Sequence, residues 1–314
     1  MRVFTWKIVV NGKEGVVMRM GGKNRKVRYC VTGADGYLGK GIVKTLLDNG
    51  VEVIAAGFNS KGVDERAEIV AGDIFELHDP YNDSGKPDTI VHLAWRDGFT
   101  HKASSHIEDL PKHCAFVSAL AESPIEKLCV MGSMHEVGYH EGSVRADTPC
   151  FPMSRYGISK NALRDFCFLV ARENNIECLW MRGYYIVDGD PNGCSVFSKI
   201  AQANLAGKKK FPLTSGKNRC DFLDYDVFCE MAVKTVMQPG LTGIVNICSG
   251  EPESLGSRVE RFVKDEGFDI ELQYGVYPDR LYDSPGIWGD LNESILAKGI
   301  GSVACFKNAD GDMR

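Results

Sequence analysis

Three polar side chains stand at positions from which they could transfer a proton. Tyr156 and Lys160 are four residues apart in the segment YGISKNALRDF, so on a helix they share one face. Moving a phenol pKa from about 10 to about 7 requires ~4 kcal/mol of preference for phenolate, and one ammonium ~4 Å away at an effective dielectric of ~20 supplies about that. Ser133, at the end of the apolar run EKLCVMGS, adds a hydroxyl that can hold a substrate oxygen. The sequence therefore predicts a general acid/base site.

A glycine-rich segment indicates a phosphate-binding turn. Gly33, Gly36 and Gly39 recur at every third position between the strand-like segment 26–32 and the helix-like segment LGKGIVKTLLDNG. In such a turn the first glycine permits the bend, the second lets the backbone approach a pyrophosphate, and the third lets helix and strand pack closely. The N-terminal N–H groups of the helix then face the phosphates. This pattern predicts a dinucleotide-binding site.

The residues after the second strand bear on which dinucleotide is bound. An acidic residue about 20 positions beyond the glycine turn normally binds the adenosine ribose of NAD, but here the strand ends in AAGFNSK, without a carboxylate. Asn59, Ser60 and Lys61 are able to bind a 2′-phosphate instead. The predicted cofactor is NAD or NADP, and this segment favours NADP.

Strand-like and helix-like segments alternate along most of the chain. AEIVAGD, DTIVHLA, EKLCVMGS and ECLWMRGYYIV are apolar enough for strands of a buried sheet. Alternation of this kind predicts an α/β fold with a Rossmann-type, doubly wound parallel sheet. We predict an NAD(P)-binding Rossmann domain at residues 27–189 and a small, irregular substrate-binding lobe at residues 190–314. Late Rossmann elements, at about residues 221–250, are interleaved with that lobe.

Residues 1–26 precede the first Rossmann strand and form a predicted N-terminal extension. VFTWKIVV and VVMRMG flank an Asn-Gly pair, which predicts a β-hairpin. We interpret the extension as a segment outside the catalytic unit, with a lid or an oligomer contact as the alternatives.

Composition excludes several other classes of protein. The chain has 314 residues, 44% of them hydrophobic and 25% charged, which is typical of a globular protein and not of a disordered one. No uninterrupted apolar stretch reaches the ~18 residues of a membrane helix, and the N-terminus does not resemble a secretory signal. The net charge of −5 argues against a nucleic-acid surface. We therefore expect a cytoplasmic protein without membrane or nucleic-acid partners.

The cysteines and histidines do not predict a metal site. The 11 cysteines include no Cys-x-x-Cys pair, and several lie in apolar segments, as expected for free, buried thiols in a reducing compartment. His135 and His140 are five residues apart, which places them ~140° apart around a helix. They therefore cannot share a ligand face, and no metal is predicted.

Taken together, these motifs resemble the extended short-chain dehydrogenase/reductase family, in its NAD-dependent epimerase/dehydratase branch, which modifies nucleotide sugars. The likeness runs from about residue 27 to about residue 292. TGADGYLG is similar to the family's phosphate loop, GDI to its adenine-contacting turn, HLAW to a strand end beside the cofactor, and YGISK to its Tyr-x-x-x-Lys motif. The segment GIVNICSG is similar to a late strand of the extended members.

The resemblance implies a role for the residues in these motifs. It makes Tyr156 the general acid/base, Lys160 its electrostatic partner and a ribose ligand, and Ser133 a proton relay or substrate anchor. The implied cofactor-binding residues are Gly33, Asp35, Gly36, Tyr37, Leu38, Gly39, Asn59, Asp73, Ile74, Leu93, Ala94, Trp95, Lys160 and Tyr184. The implied substrate contacts are Arg96, Met134, His135, Tyr185, Arg219 and Arg280. A homodimer is implied in the same way.

As a function, the resemblance implies an NAD(P)-dependent nucleotide-sugar epimerase that transfers a hydride at a sugar carbon, usually C4. Met134 and His135 stand where the dehydratases of the family have an Asp-Glu pair, with Glu136 one place late, so dehydration is not favoured. The missing ribose carboxylate favours an alternative, an NADPH-dependent nucleotide-4-keto-sugar reductase. An alternative of another class is an NAD(P)-binding sensor or scaffold without turnover, against which the complete Ser-Tyr-Lys set argues.

Overall fold

The computed structural model of the chain describes residues 5–10, 13–18, 26–279 and 283–290. In these residues the strands are, in chain order, β1 (Thr5–Val10), β2 (Lys13–Met18), β3 (Arg28–Thr32), β4 (Glu52–Gly57), β5 (Glu68–Ala71), β6 (Thr89–His92), β7 (Lys127–Ser133), β8 (Gly142–Val144), β9 (Glu177–Gly183), β10 (Tyr185–Val187), β11 (Lys210–Pro212), β12 (Arg219–Asp224), β13 (Gly243–Ile247), β14 (Pro252–Ser254), β15 (Glu271–Gln273) and β16 (Gly286–Gly289). The α-helices are α1 (Tyr37–Asp48), α2 (Pro80–Asp83), α3 (Ser105–Ala121), α4 (Arg155–Asn174), α5 (Val196–Leu205), α6 (Tyr225–Met237) and α7 (Leu255–Asp265). Short 3-10 helices span Ile74–Glu76 and Met134–Glu136.

The two N-terminal strands form a sheet of their own. β1 and β2 pair antiparallel, with Val10 opposite Lys13. This is the register that a β-hairpin within residues 1–26 requires, and the predicted turn at residues 11–12 lies outside the described residues. The role of the extension stays a prediction.

Seven parallel strands form the main sheet, in the order β13-β9-β7-β6-β3-β4-β5. β6 and β7 are buried along their whole length, because helices cover both faces of the sheet. One face packs on α1 and α6 through Ile42, Leu46 and Phe228. The other face packs on α3 and α4 through Phe116 and Leu163. The predicted Rossmann-type, doubly wound α/β fold is therefore confirmed.

The strand order reverses beside β3. From β3 the chain proceeds outward to β4 and β5, and it then returns to β6 on the other side of β3 and continues outward in the opposite direction. Ligands of open α/β sheets bind beyond the carboxyl ends of the strands at such a switch point. Here the switch point lies between Gly33, which follows β3, and Leu93, which follows β6. Both residues belong to motifs predicted to bind the cofactor.

A second sheet lies largely in the part of the chain predicted as the substrate lobe. It runs β10-β12-β16-β8 with β14 antiparallel on β12, and β11 pairs with β15 in a separate sheet. Phe197 packs edge-on against Phe222 and Phe262 in a hydrophobic cluster of the lobe. β8 and β10 precede residue 190, so this sheet takes strands from both sides of the predicted boundary. The division of the chain into domains stays a prediction.

Three further properties concern the described residues. No helix among them is both long and apolar enough to cross a membrane. No group of three or more His, Cys, Asp or Glu side chains in that part of the chain is placed to hold a metal ion. The cysteines that the structure describes are free thiols.

Candidate active site

The glycine turn joins β3 to α1 at the switch point. Gly33 has a φ of +67°, which favours glycine, and a Cβ there would lie 2.8 Å from the Ala94 Cα. A Cβ on Gly39 would lie 2.6 Å from the Ala34 Cα, so the backbone of the helix packs directly against the backbone of the turn. Gly36 precedes α1 and has no side chain to cap it, which leaves the first N–H groups of the helix for an anion. The turn therefore fits the pyrophosphate of a dinucleotide.

Four other predicted cofactor residues serve packing and capping near the strand ends. The Tyr37 ring lies against Tyr225, with centroids 4.9 Å apart, and Leu38 packs on the core beneath α1. Asp73 caps the 3-10 helix that begins at Ile74, by accepting a hydrogen bond of 3.0 Å from the N–H two residues on. Ile74 itself is buried. These side chains lie just beyond the ends of β3 and β5.

Thr32, to which the sequence analysis gave no role, connects the two sides of the switch point. Its hydroxyl accepts hydrogen bonds from the N–H groups of Leu93 (3.2 Å) and Ala94 (3.3 Å). The same hydroxyl lies 2.8 Å from Nδ1 of His92, to which it donates its single proton. The predicted cofactor segment HLAW is thereby fixed against the glycine turn, where the Ala94 backbone touches Gly33.

Two histidines beneath Trp95 were also missed. Nε2 of His92 donates to Nδ1 of His113 at 2.9 Å, since His92 Nδ1 is already the acceptor for Thr32. The Trp95 ring stacks on His113 with centroids 4.5 Å apart. Burial lowers the pKa of His92 well below its usual value, and burial followed by the nearby Lys160 charge lowers the pKa of His113 to about 3. Both rings are therefore uncharged at neutral pH.

We expect acid to destabilise the fold through these histidines. Because their pKa values are lowered on folding, their contribution is present above about pH 6.5 and is lost as the pH falls toward the folded-state values. Each histidine should lower the free energy of unfolding by about 1.4 kcal/mol per pH unit in that window. Thermal melts from about pH 7 to about pH 4 should show a weaker pH dependence for His113→Gln than for the wild type. His78→Gln, at an exposed position, is the matched control. Equal pH dependence in all three proteins would contradict a buried neutral pair.

β7 and the first turn of α4 position the three predicted catalytic residues. Ser133 is the last residue of β7, and Ser154 caps α4 by accepting a hydrogen bond of 3.1 Å from the Gly157 N–H. Tyr156 and Lys160 lie one turn apart on this helix. The Ser133 hydroxyl lies close enough to the Tyr156 phenol to favour a lower phenol pKa. The structure thus brings the serine, tyrosine and lysine together beside the switch point.

Lys160 does not pair directly with the phenol. Its Nζ donates to the Met131 carbonyl at 2.9 Å and lies 3.8 Å from the centroid of the Trp95 ring, but 6.0 Å from that of Tyr156. Burial, opposed by the Glu136 charge, lowers the pKa of Lys160 to about 7. Burial also raises the pKa of Tyr156 to about 12, although the nearby Ser133 hydroxyl opposes this. The expectation that the ammonium of Lys160 brings the phenol pKa near 7 is therefore not met, because burial raises this pKa and Lys160 is not among the groups that lower it.

A loop between β6 and α3 covers the phenol. His101 stacks on Tyr156, with ring centroids 5.0 Å apart and planes within 9°, and its carbonyl accepts a hydrogen bond of 3.2 Å from the Tyr156 N–H. Arg155 holds the same loop by donating to the Lys102 carbonyl at 2.6 Å. His135, a predicted substrate contact, lies against His101 with centroids 4.2 Å apart. His101 therefore belongs to the site, although no motif marks it in the sequence.

Tyr185 lies on the lobe side of the same cluster. Its ring centroid is 6.4 Å from that of His135 and 5.5 Å from that of Phe222. His135 is in turn 6.0 Å from the Tyr156 ring. The structure therefore places two predicted substrate residues, Tyr185 and His135, on one surface beside the phenol.

The predicted substrate arginines that the structure describes have partners within the protein. Arg96 forms a two-point ion pair with Asp109 on α3, at 2.5 and 3.2 Å. Arg219 donates to the Pro252 carbonyl at 2.8 Å. Arg280 lies outside the described residues. A charge contact of Arg96 with the substrate, and a contact of Arg219 or Arg280 with its diphosphate, stay predictions.

Met134 and Tyr184 lie in the core behind the site. Both belong to a buried hydrophobic cluster that includes Val144 and Ile287, which are residues of the second sheet. The Tyr184 hydroxyl donates to Oδ1 of Asn246 at 3.3 Å. In the structure these two side chains pack the junction between the main sheet and the lobe.

A fully buried carboxylate supports Ser133. Glu136 accepts hydrogen bonds from the Ser133 N–H at 2.5 Å and from Nε1 of Trp180 at 2.9 Å. The guanidinium groups of Arg164 and Arg182 lie 3.6 and 3.7 Å away, and the side chains of Glu136 and Arg182 are both 0% exposed. Burial raises the pKa of Glu136, and the charge of Arg182 opposes this most strongly. Glu136 therefore fixes the end of β7 by accepting a hydrogen bond from the Ser133 N–H while two arginines compensate its charge.

The comparison with known families agrees with this geometry. The profile of the NAD dependent epimerase/dehydratase family matches residues 29–248, which include the glycine turn, Ser133, Tyr156 and Lys160. The chain belongs to this family. Membership confirms the predicted family and the prediction that the chain is an enzyme.

Two curated relatives of this family member are dehydrogenases by name. The dTDP-6-deoxy-L-talose 4-dehydrogenase (NAD(+)) of Aggregatibacter actinomycetemcomitans is 39% identical over 272 residues, which are 84% of this chain and 99% of the relative. The dTDP-6-deoxy-L-talose 4-dehydrogenase (NAD(P)(+)) of Kitasatospora kifunensis is 23% identical over 292 residues, 87% of this chain and 90% of the relative. A nicotinamide dinucleotide is confirmed as the cofactor, and the family is described as NAD dependent. The preference for NADP, which was inferred from the residues after β4, has no support in these comparisons.

Two solved structures share the fold. UDP-glucose 4-epimerase of Thermotoga maritima, solved with UDP-glucose, has a TM-score of 0.74 at 19% identity, covering 87% of this chain and 91% of the epimerase. UDP-N-acetylglucosamine 4-epimerase of Methanobrevibacter ruminantium has a TM-score of 0.76 at 16% identity, covering 88% and 92%. At these identities the likeness establishes the Rossmann-type fold.

Proposed function

We propose that the chain is an NAD-dependent 4-dehydrogenase of a nucleotide-linked 6-deoxy sugar, which interconverts a C4 hydroxyl and a C4 ketone. The observation that carries this proposal is the 39% identity to dTDP-6-deoxy-L-talose 4-dehydrogenase (NAD(+)) over 99% of that enzyme. The reaction is the one predicted as the 4-keto-sugar reductase alternative, with NAD in place of NADP. It differs from the epimerase, because the dehydrogenase releases its reduced cofactor at each turnover.

The residues at the switch point fit NAD. The uncapped N-terminus of α1 and the bare backbone at Gly33 and Gly39 would hold the pyrophosphate. Trp95 and Lys160 would lie beside the nicotinamide ribose, at the carboxyl ends of β6 and β7. When bound, NAD⁺ supplies a hydride acceptor for C4 and a positive charge that favours phenolate nearby.

Tyr156 would move the proton of the C4 hydroxyl. In the oxidation, Tyr156 would act as phenolate and take the proton of the C4 hydroxyl while the carbon loses a hydride, and a ketone remains. Ser133 lies beside the phenol and would hold the same substrate oxygen. Because burial raises the pKa of Tyr156 to about 12, the resting phenol carries its proton at neutral pH. A protonated phenol suits the ketone-reducing direction, in which Tyr156 acts as the general acid.

His135 and Tyr185 would contact the sugar, because they form one surface beside the phenol. His101 would limit the access of water to the same place, since its ring covers Tyr156. A homodimer and a cytoplasmic location stay predictions.

The second candidate is the 4-epimerase predicted first from the sequence, which the structural neighbours favour through the shared fold. The two candidates separate when the purified chain is incubated with dTDP-6-deoxy-L-talose and excess NAD⁺. A dehydrogenase produces one NADH, absorbing at 340 nm, for each sugar oxidised. An epimerase converts the sugar without a lasting rise in absorbance. A sensor without turnover changes neither the sugar nor the absorbance.

A further inference from the structure

The end of β4 lacks the carboxylate that NAD-binding folds normally place there. An acidic residue at this strand end usually binds the adenosine ribose hydroxyls, but β4 ends in Ala55, Ala56 and Gly57. The space beside Gly57 is nevertheless filled by a carboxyl group. A Cβ built on Gly57 would lie 2.9 Å from the Cγ of Asp35, which belongs to the glycine turn. The carboxylate of Asp35 thus occupies the place where a side chain at the last position of β4 would begin.

Asp35 is held in this position by Asn59. The backbone N–H and the side-chain amide of Asn59 both donate to Oδ2 of Asp35, at 3.2 and 2.7 Å. Oδ1 of Asn59 accepts from the Lys61 N–H at 2.8 Å, so the orientation of the amide is set at both ends. The amide group that the sequence suggested for a 2′-phosphate is therefore directed at a carboxylate.

We propose that Asp35 is the residue that selects NAD over NADP, replacing from the glycine turn the carboxylate that β4 lacks. Its carboxylate accepts hydrogen bonds from the hydroxyl groups of the adenosine ribose and repels a 2′-phosphate. Asn59 is a positioning residue that orients it. The proposal rests on the cofactor part of the proposed function and not on the identity of the sugar.

The charges near the end of β4 favour the binding of NAD over that of NADP. A phosphate monoester carries about −1.5 to −2 charges near pH 7, so a fixed carboxylate beside it is repelled, whereas a ribose hydroxyl is a hydrogen-bond donor to the same group. The basic groups near this strand end are Lys61, which is exposed, and Lys40, whose Nζ would lie 3.2 Å from a Cβ on Gly62. Neither lysine occupies the position beside Gly57 that Asp35 occupies, so the charge at that position is negative.

The test measures the dissociation constants of NADH and NADPH by nicotinamide fluorescence, without any sugar. The wild type should bind NADH at least about tenfold more tightly than NADPH. Asp35→Asn keeps the shape of the side chain and removes its charge, so this preference should fall by about tenfold or more, mainly through tighter binding of NADPH. Glu65→Gln, which removes an exposed carboxylate further along the same loop, is the matched control and should keep the wild-type ratio.

A measurement on the wild type alone keeps the proposal testable if a variant fails to fold. ADP should displace bound NADH at a concentration at least about tenfold lower than 2′,5′-ADP does. Equal potency of the two nucleotides, or an unchanged NADH to NADPH ratio in folded Asp35→Asn, would overturn the role of Asp35. A wild type that binds neither dinucleotide would instead contradict the cofactor part of the proposed function, and this inference with it.

Discussion

Tyr156→Phe is expected to lower kcat by about 10²–10⁴, because the phenol oxygen is the group that exchanges a proton with the C4 oxygen. Phenylalanine keeps the ring that stacks on His101 and lies edge-on to Trp95, so the fold and the cofactor site should be unchanged. The measurement is steady-state turnover in both directions, together with the dissociation constant of NADH. We expect a large loss of kcat with an unchanged dissociation constant.

A second tyrosine provides the control for this substitution. Tyr139 is exposed and hydrogen-bonds Glu141, so Tyr139→Phe should retain wild-type turnover. The pH profile adds a further readout. Because burial raises the pKa of Tyr156, oxidation by the wild type should accelerate as the pH rises above 7, since more phenolate is then available as a base. Wild-type turnover by Tyr156→Phe would contradict the role of the phenol.

Glu136→Ala is expected to produce the largest loss of stability. The substitution leaves the fully buried Arg182 without its carboxylate and removes the acceptor of the Ser133 N–H. Breaking a buried ion pair by removing one partner costs about 3–5 kcal/mol. For a chain of this size, that corresponds to a fall in Tm of roughly 4–8 °C. Thermal unfolding followed by circular dichroism measures it.

Glu141→Ala is the control for the loss of a carboxylate, since Glu141 is exposed and lies a few residues further along the chain. Its effect should stay within about 0.5 kcal/mol. If Glu136→Ala melted at the same temperature as Glu141→Ala, the buried network would not stabilise the end of β7. Activity should fall with stability in Glu136→Ala, because the same carboxylate fixes the backbone of Ser133.

Local patterns accounted for the parts of the site that lie within one segment. The glycine turn could be predicted because Gly33 and Gly39 are required by contacts within the turn and with the adjoining strand end. Tyr156 and Lys160 could be paired because four residues make one helical turn. The sheet followed from apolar segments such as β7, which is buried along its length.

Contacts between distant segments could not be predicted in the same way. His101 covers Tyr156, and Trp95 covers Lys160, only because the sheet brings their loops together. The burial that raises the pKa of Tyr156 depends on that enclosure. The sequence argument considered only the charge of Lys160, and it therefore predicted a lowered pKa. Asp35 was assigned to the cofactor from its motif, but its position beside Gly57 is visible only in the folded chain.

The destination of the hydrogen on C4 tests the central claim most directly. Deuterium is placed at C4 of dTDP-6-deoxy-L-talose, the sugar is incubated with the purified enzyme and excess NAD⁺, and the released dinucleotide is analysed by mass spectrometry. The account predicts that the deuterium appears in free, reduced NAD, in an amount equal to the ketone formed. Deuterium that remains in an epimerised sugar, with no reduced dinucleotide in solution, would contradict it.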